Sequence, residues 1–263
     1  MSKKESPVRE YRNTTIIDGG DASYLNRVMI GTAATGVIRI EWAQARYGQI
    51  VPVNWSEVSS MEYLNDVVPL HFQVADAQNV IVQQAVERDF EWLLLWEHDV
   101  IPQPDALIRI NKYIRDEQVP VVSGLYYTRG HPCEPLVFRG RGNSVYTDWK
   151  HGDMVWCTGV PTGFLLIHMG IMREMWKESP EYKARGRVVR RIFDTPRKVE
   201  YNPSIGQYAT YQGTSDLEWC NRVIEGGYFK KAGWKKYQKK KYPFLVDTSI
   251  FCKHMNIDGS VYP

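Results

Sequence analysis

Two carboxylates separated by one residue, Glu97 and Asp99, flank His98 where an apolar run stops. The run Trp92-Leu93-Leu94-Leu95-Trp96 is long enough for a buried strand, and Pro102 and Pro104 punctuate the turn that follows. Acidic groups at the carboxyl end of such a strand lie where open α/β sheets bind ligands. Side chains alternate along a strand, so Glu97 and Asp99 share one side and His98 takes the other. The pair can hold one divalent cation and the anionic phosphates it attracts. The plain alternative is a polar strand end running into a turn, where Asp is common in any case.

Other candidates are more dispersed. Ser215-Asp216-Leu217-Glu218 fits a helix capping box, with Ser215 as N-cap and Glu218 at the third helical position. That leaves Asp216 in the first turn, where the helix dipole favours an ionised carboxylate. His254 follows a second apolar stretch, residues 244–252. Arg129 follows a strand-like run and could meet a phosphate or pair with a surface acid. Gly159 and Gly163 allow close backbone approach or simply tight turns. Between Lys230 and Lys241 there are seven lysines and no acid. Such a run is either a solvated face or an electrostatic arm for phosphates, anionic lipid or nucleic acid.

The elements that must position these groups alternate in the first half. Val28–Ala33 reads as a strand, residues 37–47 as a helix with Val37, Ile40, Ala43 or Gln44 and Tyr47 on one side, and residues 67–73 as a strand. A helix from Ala75 to Glu87 precedes the Trp92–Trp96 strand. A helix begun at Pro102–Asp105 and carried by Leu107, Ile108, Tyr113 and Ile114 leads to an apolar strand, Val119–Tyr127. This pattern predicts an α/β fold with a mostly parallel central sheet flanked by helices. From about residue 130 the pattern turns irregular and β-rich, with 214–226 the clearest helix. No repeat or low-complexity linker divides the halves, which predicts one domain over 27–255, a lead-in at 1–26 and a tail at 256–263.

At 263 residues with 43% hydrophobic and 24% charged side chains, the chain has the composition of a soluble globular protein. A net charge of +3 excludes a nucleic-acid binder defined by overall charge. No apolar run approaches the roughly 18–20 residues that span a bilayer, and Met1–Pro7 lacks a secretory apolar core, so a cytoplasmic location is expected. Cys133, Cys157, Cys220 and Cys252 are scattered without a CxxC pair, which argues against a zinc cluster and for packed, reduced thiols.

Read in order, these segments resemble the GT-A-fold glycosyltransferases, especially family-2-like enzymes of bacteria and phages. The series runs through Asn79, Glu97-His98-Asp99, Val122–Arg129, Gly159–Ile167, Gly213–Cys220 and Val246–His254, and so covers nearly the whole chain. The resemblance implies a metal-dependent transferase that moves a sugar from a nucleoside diphosphate to an acceptor hydroxyl, with Mn²⁺ or Mg²⁺ as cofactor. Glu97-His98-Asp99 would stand at the DxD-type motif, with Glu in place of the usual first Asp. Asp99 would then be the direct metal ligand, and Glu97 would assist at the metal or contact ribose, donor or a metal-bound water. His254 would be the C-terminal metal ligand. Asp216 would be the general base of an inverting displacement, although Ser215 stands where relatives carry Glu. Thr32, Gln78, Asn79 and Gly163 would line the donor, with Gln78 at a position where many relatives have Arg. Arg129, Trp234 and Lys253 would reach phosphate or acceptor, with the lysine run as a flap over the donor. Frequency among relatives favours UDP, and the acceptor is expected to be a carbohydrate or glycan.

Three other readings stay open. A phage-type DNA-base glycosyltransferase would use the lysine run to hold DNA. A nucleotide- or carbohydrate-binding module would keep the fold without turnover. A nucleotidyltransferase would share the acidic strand end, but Gly31–Gly36 lacks the basic residues of its phosphate loop.

Overall fold

The structure is a computed structural model that describes residues 8–11, 14–17, 27–34, 37–52, 56–63, 74–140, 144–184, 186–256 and 258–263. In chain order its elements begin with strands β1 (Val8–Tyr11), β2 (Thr14–Ile17) and β3 (Arg27–Ala34), helix α1 (Ile40–Tyr47) and β4 (Ser56–Tyr63). Next come α2 (Val74–Glu87), β5 (Trp92–Trp96), β6 (Val100–Pro102), α3 (Ala106–Asp116), β7 (Val121–Leu125) and β8 (Met154–Cys157). They continue with β9 (Phe164–His168), α4 (Met169–Glu178), β10 (Glu181–Ala184), β11 (Arg187–Arg190), β12 (Arg197–Asn202) and β13 (Gln207–Gln212). The chain closes with α5 (Ser215–Glu225), α6 (Tyr228–Lys231), α7 (Lys235–Gln238), β14 (Phe244–Met255) and β15 (Val261–Tyr262).

The main sheet has the order β15-β14-β7-β9-β5-β3-β4, with β6 and β8 also paired to β14. β3 runs parallel to both β4 and β5, and β14 runs parallel to β7. β9 lies antiparallel between β5 and β7, so those two neighbours point the same way. The carboxyl ends of β3, β5 and β7 therefore meet at one edge, the edge where Glu97 and Asp99 leave β5. The expected mixed α/β architecture, a mostly parallel sheet flanked by helices with short irregular strands later in the chain, is the one found. Strands from both halves interleave in this single sheet.

Strand β5 shows why the sequence folds this way. All five of its residues are buried, as expected of a strand covered on both faces. Alternation sends Leu93 and Leu95 to one core with Ile81, Phe193 and Trp219, and Trp92, Leu94 and Trp96 to the other with Trp42, Leu107 and Ile110. Helices α2, α4 and α5 cover the first face; α1 and α3 cover the second.

Several local expectations change. The buried side of α1 is set by Trp42 and Arg46, while Val37, Ile40 and Tyr47 are exposed. The reason is the indole: Trp42 packs edge-on against Trp96 and donates its Nε1–H to the Glu97 carbonyl at 2.9 Å. The Arg46 guanidinium then lies over the Trp96 ring, 5.3 Å from its centroid. In α3, Ile110 rather than Ile108 faces the core. The strand expected at 67–73 lies outside the described residues; β4, at the sheet edge, comes earlier. Within the expected lead-in, β1 and β2 form an antiparallel hairpin. The expected tail contributes β15, whose residues pair with His254 and Met255. Among the described residues no helix is long and apolar enough to cross a membrane, and all four cysteines are free thiols.

β14 carries a buried polar anchor where its pairing with β7 shifts register, between Asp247 and Phe251. The Asp247 carboxylate accepts hydrogen bonds from Tyr113 Oη at 2.7 Å and from Ser249 Oγ at 2.6 Å, and pairs with Lys112 Nζ at 2.8 Å. Burial opposes its charge, but these partners outweigh that and hold its pKa below the usual value. Its stabilising effect is therefore full above the unfolded pKa of about 3.9 and is lost as pH falls through the lower folded value. Asp247→Ala strips a buried hydroxyl and an ammonium of their partner and should destabilise the fold by about 3 kcal/mol at neutral pH, read by urea unfolding.

Candidate active site

The turn after β5 is held from several sides. Glu97 donates its backbone N–H to the Gly163 carbonyl at 2.9 Å, and Met255 N–H donates to the Asp99 carbonyl at 2.8 Å. β6 then pairs antiparallel with the end of β14, setting His254 opposite Val100. This pairing brings together residues that are 155 positions apart: His254 Nε2 stands 3.5 Å from Asp99 Oδ2.

The histidine's tautomer follows from its other nitrogen. Nδ1 lies 2.8 Å from the Tyr127 carbonyl, which can only accept, so Nδ1 carries the proton. Nε2 then faces the Asp99 carboxylate, to which it donates a hydrogen bond when the ring is protonated and toward which it turns a lone pair when the ring is neutral. Asp99 Oδ1 is buried and has no hydrogen-bond partner. A lone pair, a carboxylate and an orphaned oxygen suit a divalent cation, and the carbonyl bond on Nδ1 is the usual outer support of a metal-binding imidazole. The expected pair Asp99 and His254 fits. Among the described residues no group of three or more His, Cys, Asp or Glu is arranged to hold a metal, so substrate oxygens and water would have to complete the shell.

Glu97 is engaged by a chain of side-chain hydrogen bonds. Its Oε1 accepts a hydrogen bond from Thr162 Oγ1 at 2.9 Å, and Thr162 Oγ1 accepts one from Gln78 Nε2 at 3.1 Å. Burial, then the charges of Asp99 and Asp216, push its pKa well above the carboxylate range against the Thr162 hydrogen bond. Asp99 goes the other way. Burial opposes its ionisation, but the His254 hydrogen bond and the His254, Arg129 and His98 charges win. One carboxyl thus tends toward neutral while its neighbour stays anionic. His98 turns away as strand alternation requires, its Nδ1 3.0 Å from the Ala33 carbonyl at the end of β3.

Asp216 reaches the same edge from α5. The capping box is not formed: the N-cap is Thr214, without a side-chain cap hydrogen bond, and Ser215 is already helical. Asp216 Oδ1 accepts the Leu217 N–H at 2.8 Å. Glu218 turns instead toward Arg222, 3.6 Å away. Burial raises the Asp216 pKa, opposed by hydrogen bonds from Thr214 and Leu217. Its charge in turn acts on Glu97 and on the buried Tyr126. The approach of α5 depends on Gly159, where a Cβ would fall 2.6 Å from a Leu217 methyl. Cys220 Sγ also bridges to the backbone N–H of Val160 at 3.4 Å.

The remaining expected contacts divide. Gln78 is at the site, in the chain to Glu97, and its Oε1 is buried without a partner. Thr32 is buried near the end of β3, next to the Ala33 carbonyl that meets His98. Asn79 is fully committed to contacts within the protein. It sits mid-helix, where its side-chain carbonyl accepts the N–H groups of Ile192 and Phe193, and its amide donates to the Phe193 carbonyl and Tyr182 Oη. Gly163 is there for packing: Tyr126 and Val100 fill the space a side chain would need. Lys253 alternates to the face opposite His254, on the wall of a cleft of about 440 Å³ between α1 and the β6–β14 ribbon.

Trp234 and the lysine run lie at the other end of the sheet. Trp234 Nε1 is 3.4 Å from His168 Nδ1, and His168 pairs with Trp92 at the start of β5. Glu97 is five positions further along, roughly 16 Å at about 3.3 Å per residue. The expected flap is instead two short helices, α6 and α7, anchored by buried Phe229 and Tyr237. Lys231 pairs with Glu178 at 2.6 Å, and Lys240 lies over Trp156, 3.4 Å from the ring centroid.

Arg129 does meet the site. Its Nη1 is 2.9 Å from Asp99 Oδ2, with 41% of the side chain exposed. An ion pair with one member this open to solvent contributes about 0–1 kcal/mol.

Two residues quoted in the sequence motifs but given no role are central. Thr162 joins Gln78 to Glu97. Tyr126 accepts the Gly163 N–H at 2.6 Å and packs edge-on against the His254 ring, centroids 5.3 Å apart. The sequence signal for both was a polar group beside a buried strand end, Tyr126 just after β7 and Thr162 just before β9.

No family model matches the chain, and no curated protein matches it. Among solved structures it is similar to the crystal structure of A197 from STIV, with 14% identity, a TM-score of 0.49, and coverage of 90% of this chain and 93% of that one. It is also similar to the crystal structure of S. aureus TarS, with 10% identity, a TM-score of 0.38, and coverage of 59% of this chain and 30% of that one. These likenesses are distant.

The four hydrogen bonds of Asn79 make it a structural pin. Asn79→Ala leaves two buried N–H groups unpaired and should lower stability by about 2–4 kcal/mol in denaturant titration. Asp99→Ala, which removes a carboxylate with one oxygen unpartnered and the other in a solvent-exposed ion pair, should cost far less.

Proposed function

We propose that this protein is a metal-dependent glycosyltransferase that moves a sugar from a nucleoside diphosphate to an acceptor hydroxyl, with inversion at the anomeric carbon. The observation that carries the reading is the meeting of Asp99, His254, Glu97 and Asp216 at the carboxyl edge of one sheet, although they come from three distant parts of the chain.

Asp99 and His254 would hold Mn²⁺ or Mg²⁺. Imidazole with carboxylate and phosphate oxygens suits Mn²⁺ well. When bound, the cation supplies charge stabilisation for the departing diphosphate. Glu97, kept toward neutral by burial, can donate a hydrogen bond to ribose or donor oxygens that a carboxylate would repel. Gln78 and Thr162 fix its orientation. Asp216 would accept the proton of the acceptor hydroxyl as that oxygen forms the new glycosidic bond and the sugar–phosphate bond breaks. Burial raises its pKa above the ordinary Asp value, which strengthens it as a base.

UDP is the preferred nucleotide and a carbohydrate the preferred acceptor. Transfer to DNA gains no support from the lysine helices, which lie at the opposite end of the strands from Asp99. A binding module without turnover would share Asp99 and His254 but would not need Asp216.

In a thermal-shift panel of UDP-, GDP- and dTDP-sugars, at least one donor should stabilise the protein when Mn²⁺ is added, by about 2.7 kcal/mol at a hundredfold excess over Kd. Asp99→Ala should abolish the metal-dependent part. If no donor shifts the wild type with or without metal, the transferase reading fails. With the donor identified, Asp216→Asn should lower kcat about 10²–10⁴-fold with little change in donor KM. The acid limb of the wild-type kcat profile should lie above the ordinary Asp pKa, because burial raises Asp216; a profile flat down to that value would remove Asp216 as the base.

A further inference from the structure

We infer that Arg129 is a resident counter-ion for Asp99 that gives way to the divalent cation and moves onto the donor's diphosphate, coupling the two binding events. The inference rests on the metal and donor reading above. Its basis is competition for one carboxylate: Arg129 Nη1 sits 2.9 Å from Asp99 Oδ2, the atom that also faces His254 Nε2 at 3.5 Å. A cation held between Asp99 and His254 would stand beside that guanidinium on the same carboxylate, and two positive groups that close repel strongly.

Arg129 is built to be the one that leaves. The backbone around it is pinned, since Thr128 N–H donates to the Glu134 carbonyl at 2.8 Å and Glu134 N–H donates to Thr128 Oγ1 at 3.0 Å. His131 packs near the Tyr262 ring, 5.7 Å between centroids. The side chain is the open part, 41% exposed against 18% for Asp99. It can therefore turn about its own torsions while the loop stays in place. A planar guanidinium is also the group that best pairs with phosphate oxygens, through two parallel hydrogen bonds. A diphosphate beside the cation gives the displaced Arg129 a new partner at the same edge. Cation alone leaves it without one. The cation should thus bind weakly until the nucleotide arrives, and each should tighten the other by the same factor.

The test is Mn²⁺ binding followed by electron paramagnetic resonance of the free ion, with and without UDP, in wild type, Arg129→Gln, Arg129→Lys and Asp99→Ala. Arg129→Gln should bind Mn²⁺ alone about tenfold more tightly than wild type. The wild-type enhancement by UDP, expected within about 5–150-fold, should shrink toward none in that variant. Arg129→Lys should restore part of the coupling, since it keeps the charge but not the paired hydrogen bonds. If Asp99→Ala loses Mn²⁺ while Arg129→Gln binds it no better than wild type, the site stands and the counter-ion role of Arg129 is overturned. If no protein binds Mn²⁺ saturably with or without UDP, the site assignment fails and this inference goes with it.

Discussion

The pairing of β6 with the end of β14 is the constraint on which the candidate site depends. Opposing Val100 and His254 delivers an imidazole from near the chain end to a turn after the third main strand. The Met255 N–H to Asp99 carbonyl bond clamps the same turn from the other side. Without this short ribbon, Asp99 would be one exposed carboxylate in a loop, with nothing to desolvate it or set its partner. The buried Asp247 anchor and the register shift beyond it aim the last part of β14 toward β6. Stability and site geometry are therefore linked along one strand.

A second junction ties the rest together. The four residues Val160–Gly163 reach α5 through Cys220, α2 through Gln78, β7's exit through Tyr126 and Glu97 through both backbone and side chain. None of these bonds is strong alone, about 1 kcal/mol net for a typical one. Together they fix how far Asp216 on α5 stands from Glu97 and Asp99. The electrostatics follow from that distance: three partly buried carboxylates in mutual range cannot all ionise cheaply. Asp99, which has cationic neighbours, takes the charge, and Glu97 gives it up.

How much of this was legible in the sequence depended on whether the signal was local. Trp92–Trp96 announced a strand covered on both faces, and its polar stop announced the ligand edge, because burial and alternation are properties of adjacent residues. The alternating strand and helix pattern gave the sheet for the same reason. Asp99 with His254 came from motif order and proved to be a spatial pair. Asn79, Gly163 and Trp234 were misread because their partners are tertiary. Nothing near Asn79 in the chain reveals that Ile192 and Phe193 will need its amide. The α1 face failed on spacing alone: Val37, Ile40 and Tyr47 fit a helical stripe, but one indole that could both fill the core and reach the Glu97 carbonyl outweighed them. Thr162 and Tyr126 passed unremarked because a hydroxyl declares a role only when its partner's position is known.

The separation of charge across the sheet bears directly on chemistry. The lysines of α6 and α7 lie near the amino ends of the strands, whereas Glu97, Asp99 and Asp216 crowd the carboxyl edge. Over roughly 16 Å of strand, about two Debye lengths at physiological salt, the exposed lysines are largely screened from anything held at Asp99. A diphosphate brought to that edge would meet partly buried carboxylates first, an unfavourable encounter unless positive charge is supplied locally. Arg129 is one such charge, but it is already committed to Asp99. A divalent cation would resolve both problems, since it would satisfy the carboxylate and release the guanidinium for the phosphate. Under the proposed function, joint uptake of cation and diphosphate would thus reconcile the acidity of the site with an anionic substrate.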